Sequence, residues 1–120
     1  MPGRVLVVDD EKAIRELLSR VLTIAGYEVE AAADGHEALE RVAARRPDLV
    51  LLDLMMPVLD GWSVLDRLSE QSDPPPVIVV SAYLDRGRVV AAGAAGYLSK
   101  PFRSADLLKA CRRLLEPRDE

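Results

Sequence analysis

A single cysteine, Cys111, stands in the 120-residue chain. No internal disulfide framework can form, and a reducing compartment, the cytoplasm, is expected. No apolar stretch approaches the roughly 20 residues that a membrane helix needs, and the N-terminus lacks a signal-peptide pattern. Membrane insertion is therefore not expected. Surplus positive charge is also missing. Lys and Arg number 16 against 20 Asp and Glu, a net charge of −4, which argues weakly against direct nucleic-acid binding. There is no internal repeat and no low-complexity segment. One histidine is present, His36. It lies at the start of a helical stretch, away from any acidic cluster along the chain, and reads as a solvated surface residue.

What is there is ordinary for a soluble domain: 49% apolar and 30% charged residues. The length fits one domain over residues 1–120, able to bury roughly two thirds of its unfolded surface. Three unbroken apolar runs punctuate it: Val5–Val8, Leu49–Leu52 and Val77–Val80. Such runs, bounded by breakers, fit strands buried on both faces. Two weaker strands complete the set. Tyr27 to Ala33 carries Glu28 and Glu30 on one face, as an edge strand should. Gly96-Tyr97-Leu98-Ser99 is short and also reads as an edge.

Helical stretches lie between the strands. Ile14, Leu17, Leu18, Val21, Leu22 and Ala25 recur at helical spacing, and Gly26 marks the stop. His36 to Arg46 places Ala38, Leu39, Val42 and Ala43 inward. Asp60-Gly61 starts a helix to about Ser72 with Trp62, Leu65 and Leu68 on its buried side. Asp85 to Ala92 is a short helix weakened by its glycines, since Gly87 and Gly93 each cost about 1 kcal/mol relative to alanine. Ser104 caps a last helix whose stripe is Leu107, Leu108, Cys111, Leu114 and Leu115, closed by Pro117. Cys111 reads as a small buried hydrophobe and Trp62 as a packing residue. Pro74-Pro75-Pro76 is a stiff local connector. Five strands alternating with five helices imply an α/β fold: a parallel sheet with helices on both faces and right-handed crossovers.

The carboxyl ends of parallel strands share one side of the sheet, where ligands bind in open α/β folds. Those ends carry Asp9 and Asp10, Asp53, Ser81 and Lys100. Neighbouring strands are about 4.8 Å apart, so these side chains can converge. Two unit charges 4 Å apart repel by about 4 kcal/mol at an effective dielectric of about 20, so clustered carboxylates need cations. Lys100 supplies one charge. A hard, partly hydrated divalent ion such as Mg²⁺ suits the rest. With lysine and Mg²⁺ to neutralise an incoming phosphoryl group, an aspartate nucleophile is the chemistry the set is built for.

These residues resemble the receiver domains of two-component response regulators. The matching motifs are Val8-Asp9-Asp10-Glu11, Asp53-Leu54-Met55-Met56-Pro57, Asp60-Gly61, Ser81-Ala82 and Gly96-Tyr97-Leu98-Ser99-Lys100-Pro101-Phe102, over about Arg4 to Leu115. The resemblance implies a flavodoxin-like, doubly wound (βα)5 sheet of order 2-1-3-4-5. It implies Asp53 as phosphoacceptor, with Mg²⁺ held by Asp10, Asp53 and the backbone carbonyl of Met55, and by Asp9 through water. Lys100 would pair with Asp53 and then with the phosphoryl oxygens. Ser81 would donate to the phosphoryl group, with Ala82 leaving room beside it. Tyr97 matches the switch aromatic, and the Lys100–Pro101 bond should be cis. The implied donor is a histidine kinase or a histidine phosphotransfer protein, and a downstream effector protein would read the result.

The expected role is a switch and not a turnover enzyme. An aspartyl-phosphate phosphohydrolase would need a general acid two residues past the nucleophile, where Met55 stands. A flavodoxin-like cofactor protein would need a Ser-, Thr- and Gly-rich phosphate loop where Asp9-Asp10-Glu11 stands. A receiver-like docking module that is never phosphorylated is disfavoured, because every residue for the chemistry is present. No output domain is expected within the chain. Ser81 and Lys100 are closer in sequence than in the family by about one helical turn, so the fourth helix should be short and loosely held, which puts family-style dimerisation through that face in doubt. Met55 and Tyr83 should border the attacking water and lengthen the life of a phosphorylated Asp53.

Overall fold

Each central strand sends alternate side chains to opposite sides, and both sides are dry. The computed structural model describes residues 3–82 and 85–115. Its strands are β1 (Arg4–Val8), β2 (Glu28–Ala32), β3 (Leu49–Leu52), β4 (Val77–Ser81) and β5 (Gly96–Ser99). Its helices are α1 (Lys12–Ile24), α2 (Gly35–Ala44), α3 (Gly61–Ser69), α4 (Arg86–Ala91) and α5 (Ser104–Leu115). The five strands form one sheet in the order β2-β1-β3-β4-β5, every pair parallel.

Leu6, Val8, Val50, Leu52, Val77 and Val79 face a core closed by α2, α3 and α4. Val5, Val7, Leu49, Leu51, Ile78 and Val80 face a second core closed by α1 and α5. Burial on both sides is why these strands read as unbroken apolar runs. The helices contribute stripes: Leu18 and Leu22 from α1, Val64, Leu65 and Leu68 from α3, Leu107 and Cys111 from α5. Burying one such leucine contributes roughly 1.5–3 kcal/mol. Burial also pushes the Cys111 thiol up to about 12, so it packs as a hydrophobe, as expected.

The edges fall where the charge of β2 and the shortness of β5 put them. The glutamates of β2 do more than repel a further strand. Glu28 pairs with Arg45 at 3.6 Å. Glu30 pairs with Arg41 at 3.5 Å and also binds Arg4. Arg4 opens β1 and is only 6% exposed. Its guanidinium also donates to the Arg45 carbonyl at 3.2 Å, and its backbone N–H to Asp48 Oδ2 at 2.8 Å. The sequence pattern gave no hint of a buried arginine here.

Several helical expectations need correction. Leu17 is half exposed and Ala25 is exposed, because α1 turns only Leu18 and Leu22 fully inward and Ile14 and Val21 partly. Ala43 is exposed, while Ala38 and Val42 carry the buried side of α2. The third helix stops at Ser69, short of Ser72. The residues that follow, Glu70 to Asp73, are all exposed and offer the core nothing. Trp62 is only partly buried. His36 is exposed, as expected. Gly26, at φ 101°, supplies the left-handed residue that ends α1.

Candidate functional site

Sheet hydrogen bonding runs one residue past the strands and fixes the site. The Asp9 N–H donates to the Ala32 carbonyl at 3.2 Å, and the Asp53 N–H donates to the Val8 carbonyl at 3.0 Å. On the other side the Lys100 N–H donates to the Ser81 carbonyl at 3.0 Å. Backbone on five strands thus holds Asp9, Asp53, Ser81 and Lys100 at one end of the sheet.

The side chains converge there. Carboxylate oxygens of Asp9, Asp10 and Asp53 all lie within 4.8 Å of one another. Asp9 and Asp53 are buried, 1% and 4% exposed, while Asp10 is exposed. Lys100 Nζ bridges the buried pair, 2.9 Å from Asp9 Oδ2 and 3.5 Å from Asp53 Oδ2. The remaining oxygens are bound by main chain. The Glu11 N–H donates to Asp9 Oδ1 at 2.9 Å, and the Met55 N–H donates to Asp53 Oδ1 at 3.1 Å.

The electrostatics follow from that packing. Burial pushes the Asp53 carboxyl above its ordinary value. The Met55 N–H opposes this, the charge of Asp9 adds to it, and Lys100 does not cancel it. Burial works against the Lys100 ammonium, but the hydrogen bond and charge of Asp9, helped by Asp53, outweigh it and raise Lys100. Three carboxylates against one ammonium leave the cluster short of positive charge.

A family model, the response regulator receiver domain, matches residues 5–112. The chain belongs to the response regulator receiver family. The response regulator MprA of Mycolicibacterium vanbaalenii is 49% identical over 118 residues, covering 96% of this chain and 51% of that protein. MprA of Mycobacterium avium is 46% identical, covering 98% of this chain and 54% of its own length. The chain thus spans about half the length of these curated relatives. Among solved structures, the chemotaxis response regulator CheY4 of Vibrio cholerae superposes with a TM-score of 0.89 at 38% identity, covering 96% of this chain and all of that one. NtrX of Brucella abortus superposes at 0.87 with 36% identity, over 97% of this chain and 27% of NtrX. The sheet order and flavodoxin-like fold are those of this receiver family.

Within the receiver fold, Ser81, Ala82 and the Lys100–Pro101 bond fall at the same end, and Tyr97 lies two residues before the end of β5. Ser81 ends β4, fully buried, opposite Ser99 of β5. Tyr97 pairs with Val79 across the sheet and is 36% exposed, with the Arg86 guanidinium carbon 5.2 Å from its ring centre. Ala82 is exposed, the Met55 side chain is 59% exposed, and the Lys100–Pro101 bond is cis. Tyr83 lies outside the described residues. Lys100 pairs with Asp53 at 3.5 Å and also, closer still at 2.9 Å, with Asp9, the more buried carboxylate, which the expectation did not include.

Two contacts escaped the sequence reading, although Gly61 itself reads there as the start of a helix. Arg15 of α1 donates to the Asp9 carbonyl at 2.8 Å and pins the turn that carries Asp9 and Asp10. Gly61 donates its N–H to the Leu54 carbonyl at 3.0 Å, against the start of the loop that follows Asp53. Neither contact has a local signature. Each is a tie to a main-chain carbonyl six or seven residues earlier, set by how a short loop closes and not by apolar spacing.

Proposed function

We propose that the chain is a phosphorylation-dependent signalling switch in which Asp53 accepts a phosphoryl group. The donor is the phosphohistidine of a histidine kinase or a histidine phosphotransfer protein. The observation that carries this reading is a buried carboxylate with an ammonium 3.5 Å away and two further carboxylates in the same cluster. An Asp53 oxygen forms the new P–O bond as the P–N bond to the donor imidazole breaks, and the imidazole keeps the electron pair. Lys100, with three donors, binds the phosphoryl oxygens, and the Ser81 hydroxyl donates to the same group.

The donor set fits Mg²⁺. It is all oxygen, it is under-neutralised, and Asp53 is raised by burial and by Asp9. Asp10, Asp53 and the backbone carbonyl of Met55 would hold the ion, with Asp9 reached through water. When bound, Mg²⁺ supplies the positive charge that offsets the phosphoryl oxygens.

The phosphoryl group carries about −1.5 to −2 charge and takes the place of the single negative charge of the free Asp53 carboxylate. Ser81 moves toward it, and Tyr97, now beneath Arg86, follows. This biases two pre-existing arrangements of the surface that a downstream effector reads. The role is that of a switch and not of a turnover enzyme, in the cytoplasm, without direct nucleic-acid contact. Among the described residues no helix is long and apolar enough to cross a membrane. The test is incubation with a small acyl phosphate, with Mg²⁺ or with chelator. Asp53 is modified only with Mg²⁺, and Asp10→Ala loses that dependence together with the modification. Equal modification under chelator overturns the metal assignment.

A further inference from the structure

Gly61 is buried at the first position of α3. A Cβ placed there would lie 2.3 Å from the Asp53 carbonyl oxygen, 2.5 Å from Leu54 Cα and 2.9 Å from the Asp53 carbonyl carbon. All three are main-chain atoms, so no side chain can swing aside to make room. Glycine is not required for its dihedrals, because Gly61 has no left-handed φ. What matters is the missing side chain. Through it the Gly61 N–H reaches the Leu54 carbonyl at 3.0 Å, and the loop from Leu54 to Asp60 closes on its own beginning. Inside that closure the Met55 N–H is bound to Asp53 Oδ1 at 3.1 Å. Asp60 holds the other end by accepting from the Ser63 N–H at 2.9 Å.

We infer that Gly61 is a positioning residue for the cation site: lacking a side chain, it lets α3 start against the backbone of Asp53 and Leu54 and so fixes the segment Asp53–Met55 that supplies two of the proposed Mg²⁺ ligands. The inference rests on the receiver reading of that site. Any side chain at 61 must part α3 from Asp53 by about 0.7 Å before the 2.3 Å contact reaches even 3.0 Å. Shifts of about 1 Å in such constellations cost roughly 100-fold, and loss of outer supports weakens metal affinity by about 10- to 100-fold.

The test compares Gly61→Ala with Leu22→Ala, which opens a cavity in the core on the α1 side of the sheet. Mg²⁺ affinity is read by calorimetry in the absence of any phosphodonor, and folding by urea titration in chelator. Gly61→Ala binds Mg²⁺ at least about tenfold more weakly, whereas Leu22→Ala, although destabilised, binds it as the parent does. A folded Gly61→Ala with parental affinity overturns the inference. So does an equal loss in Leu22→Ala. If Gly61→Ala does not fold, Asp60→Ala, which frees the same end of the loop without adding atoms, must weaken Mg²⁺ by at least twofold, and parental affinity there overturns the claim. If the parent itself binds no Mg²⁺, the receiver reading fails separately. Positioning is then judged by amide exchange at Met55, which accelerates in Gly61→Ala if Gly61 holds the segment and is unchanged if it does not.

Discussion

The Lys100 ammonium lies 2.9 Å from Oδ2 of Asp9, a carboxylate that is 1% exposed and not the proposed phosphoacceptor. Lys100 therefore offsets the deepest negative charge in the site before any phosphoryl group arrives. Lys100→Met leaves Asp9 buried without a counter-charge. Losing one partner of a buried pair costs about 3 kcal/mol, and that loss is the expectation for urea unfolding in chelator. Added Mg²⁺ should recover part of it. The same loss with and without Mg²⁺ would show that the ion does not share the Asp9 field.

Asp53 gives a pH dependence of definite sign. Its carboxyl is raised in the folded protein, first by burial and further by Asp9. The folded state thus holds the Asp53 proton more tightly than the unfolded chain does. By linkage, Asp53 costs stability as pH rises from the unfolded value of 3.8 through the raised folded value, and the full cost persists above it. In chelator, Asp53→Asn should raise the urea midpoint at neutral pH, and its advantage should fade as pH falls toward 3.8. A constant difference across that range would contradict the electrostatic origin.

Helix α4 should be the least protected helix. It has six residues and buries only Val89. Outside that contact it depends on the Asp85 cap at 3.1 Å and on Arg86 and Arg88 lying over Tyr97 and Trp62 at 5.2 and 4.0 Å. Contacts of this kind contribute about 0.5–1 kcal/mol at exposed sites. Hydrogen exchange at Val89 and Val90 should outpace that at Leu18 and Leu22 of α1, and Arg88→Ala should accelerate it further. Equal protection in α4 and α1 would overturn this.

Val58 carries a strained backbone. It has φ 68°, is β-branched and is 90% exposed, so nothing in the packing rewards the left-handed conformation. Such residues cost about 1–3 kcal/mol, and glycine returns about 0.5–1 kcal/mol in chain entropy. Val58→Gly should gain about 1 kcal/mol, and Val58→Ala less, by thermal or urea unfolding. A loss in Val58→Gly would mean that the side chain makes a contact worth more than the strain.

The parts of the fold that were legible follow from the double-sided sheet. Val5–Val8, Leu49–Leu52 and Val77–Val80 are apolar at every position because each faces a dry layer, and Glu28 and Glu30 mark an edge because an edge needs charge. The residues just past those runs could then be assigned to one end of the sheet, which is where Asp9, Asp53, Ser81 and Lys100 lie. Helix flanks were less legible. Leu17 and Ala43 fit a helical stripe but fall on its margin, and only the neighbouring elements decide such margins. Arg4, Arg15 and the close approach at Gly61 left no trace in periodicity: the partners of Arg4 lie 26 and 41 residues away, and the ties of Arg15 and Gly61 depend on how short loops close.

The central claim is that Asp53 takes the phosphoryl group. Intact-mass measurement after incubation with a small acyl phosphate and Mg²⁺ tests it most directly, on the parent chain and on Asp53→Asn side by side. The account predicts one added phosphoryl mass on the parent and none on Asp53→Asn. A phosphoryl mass on Asp53→Asn, or none on the parent, would contradict it.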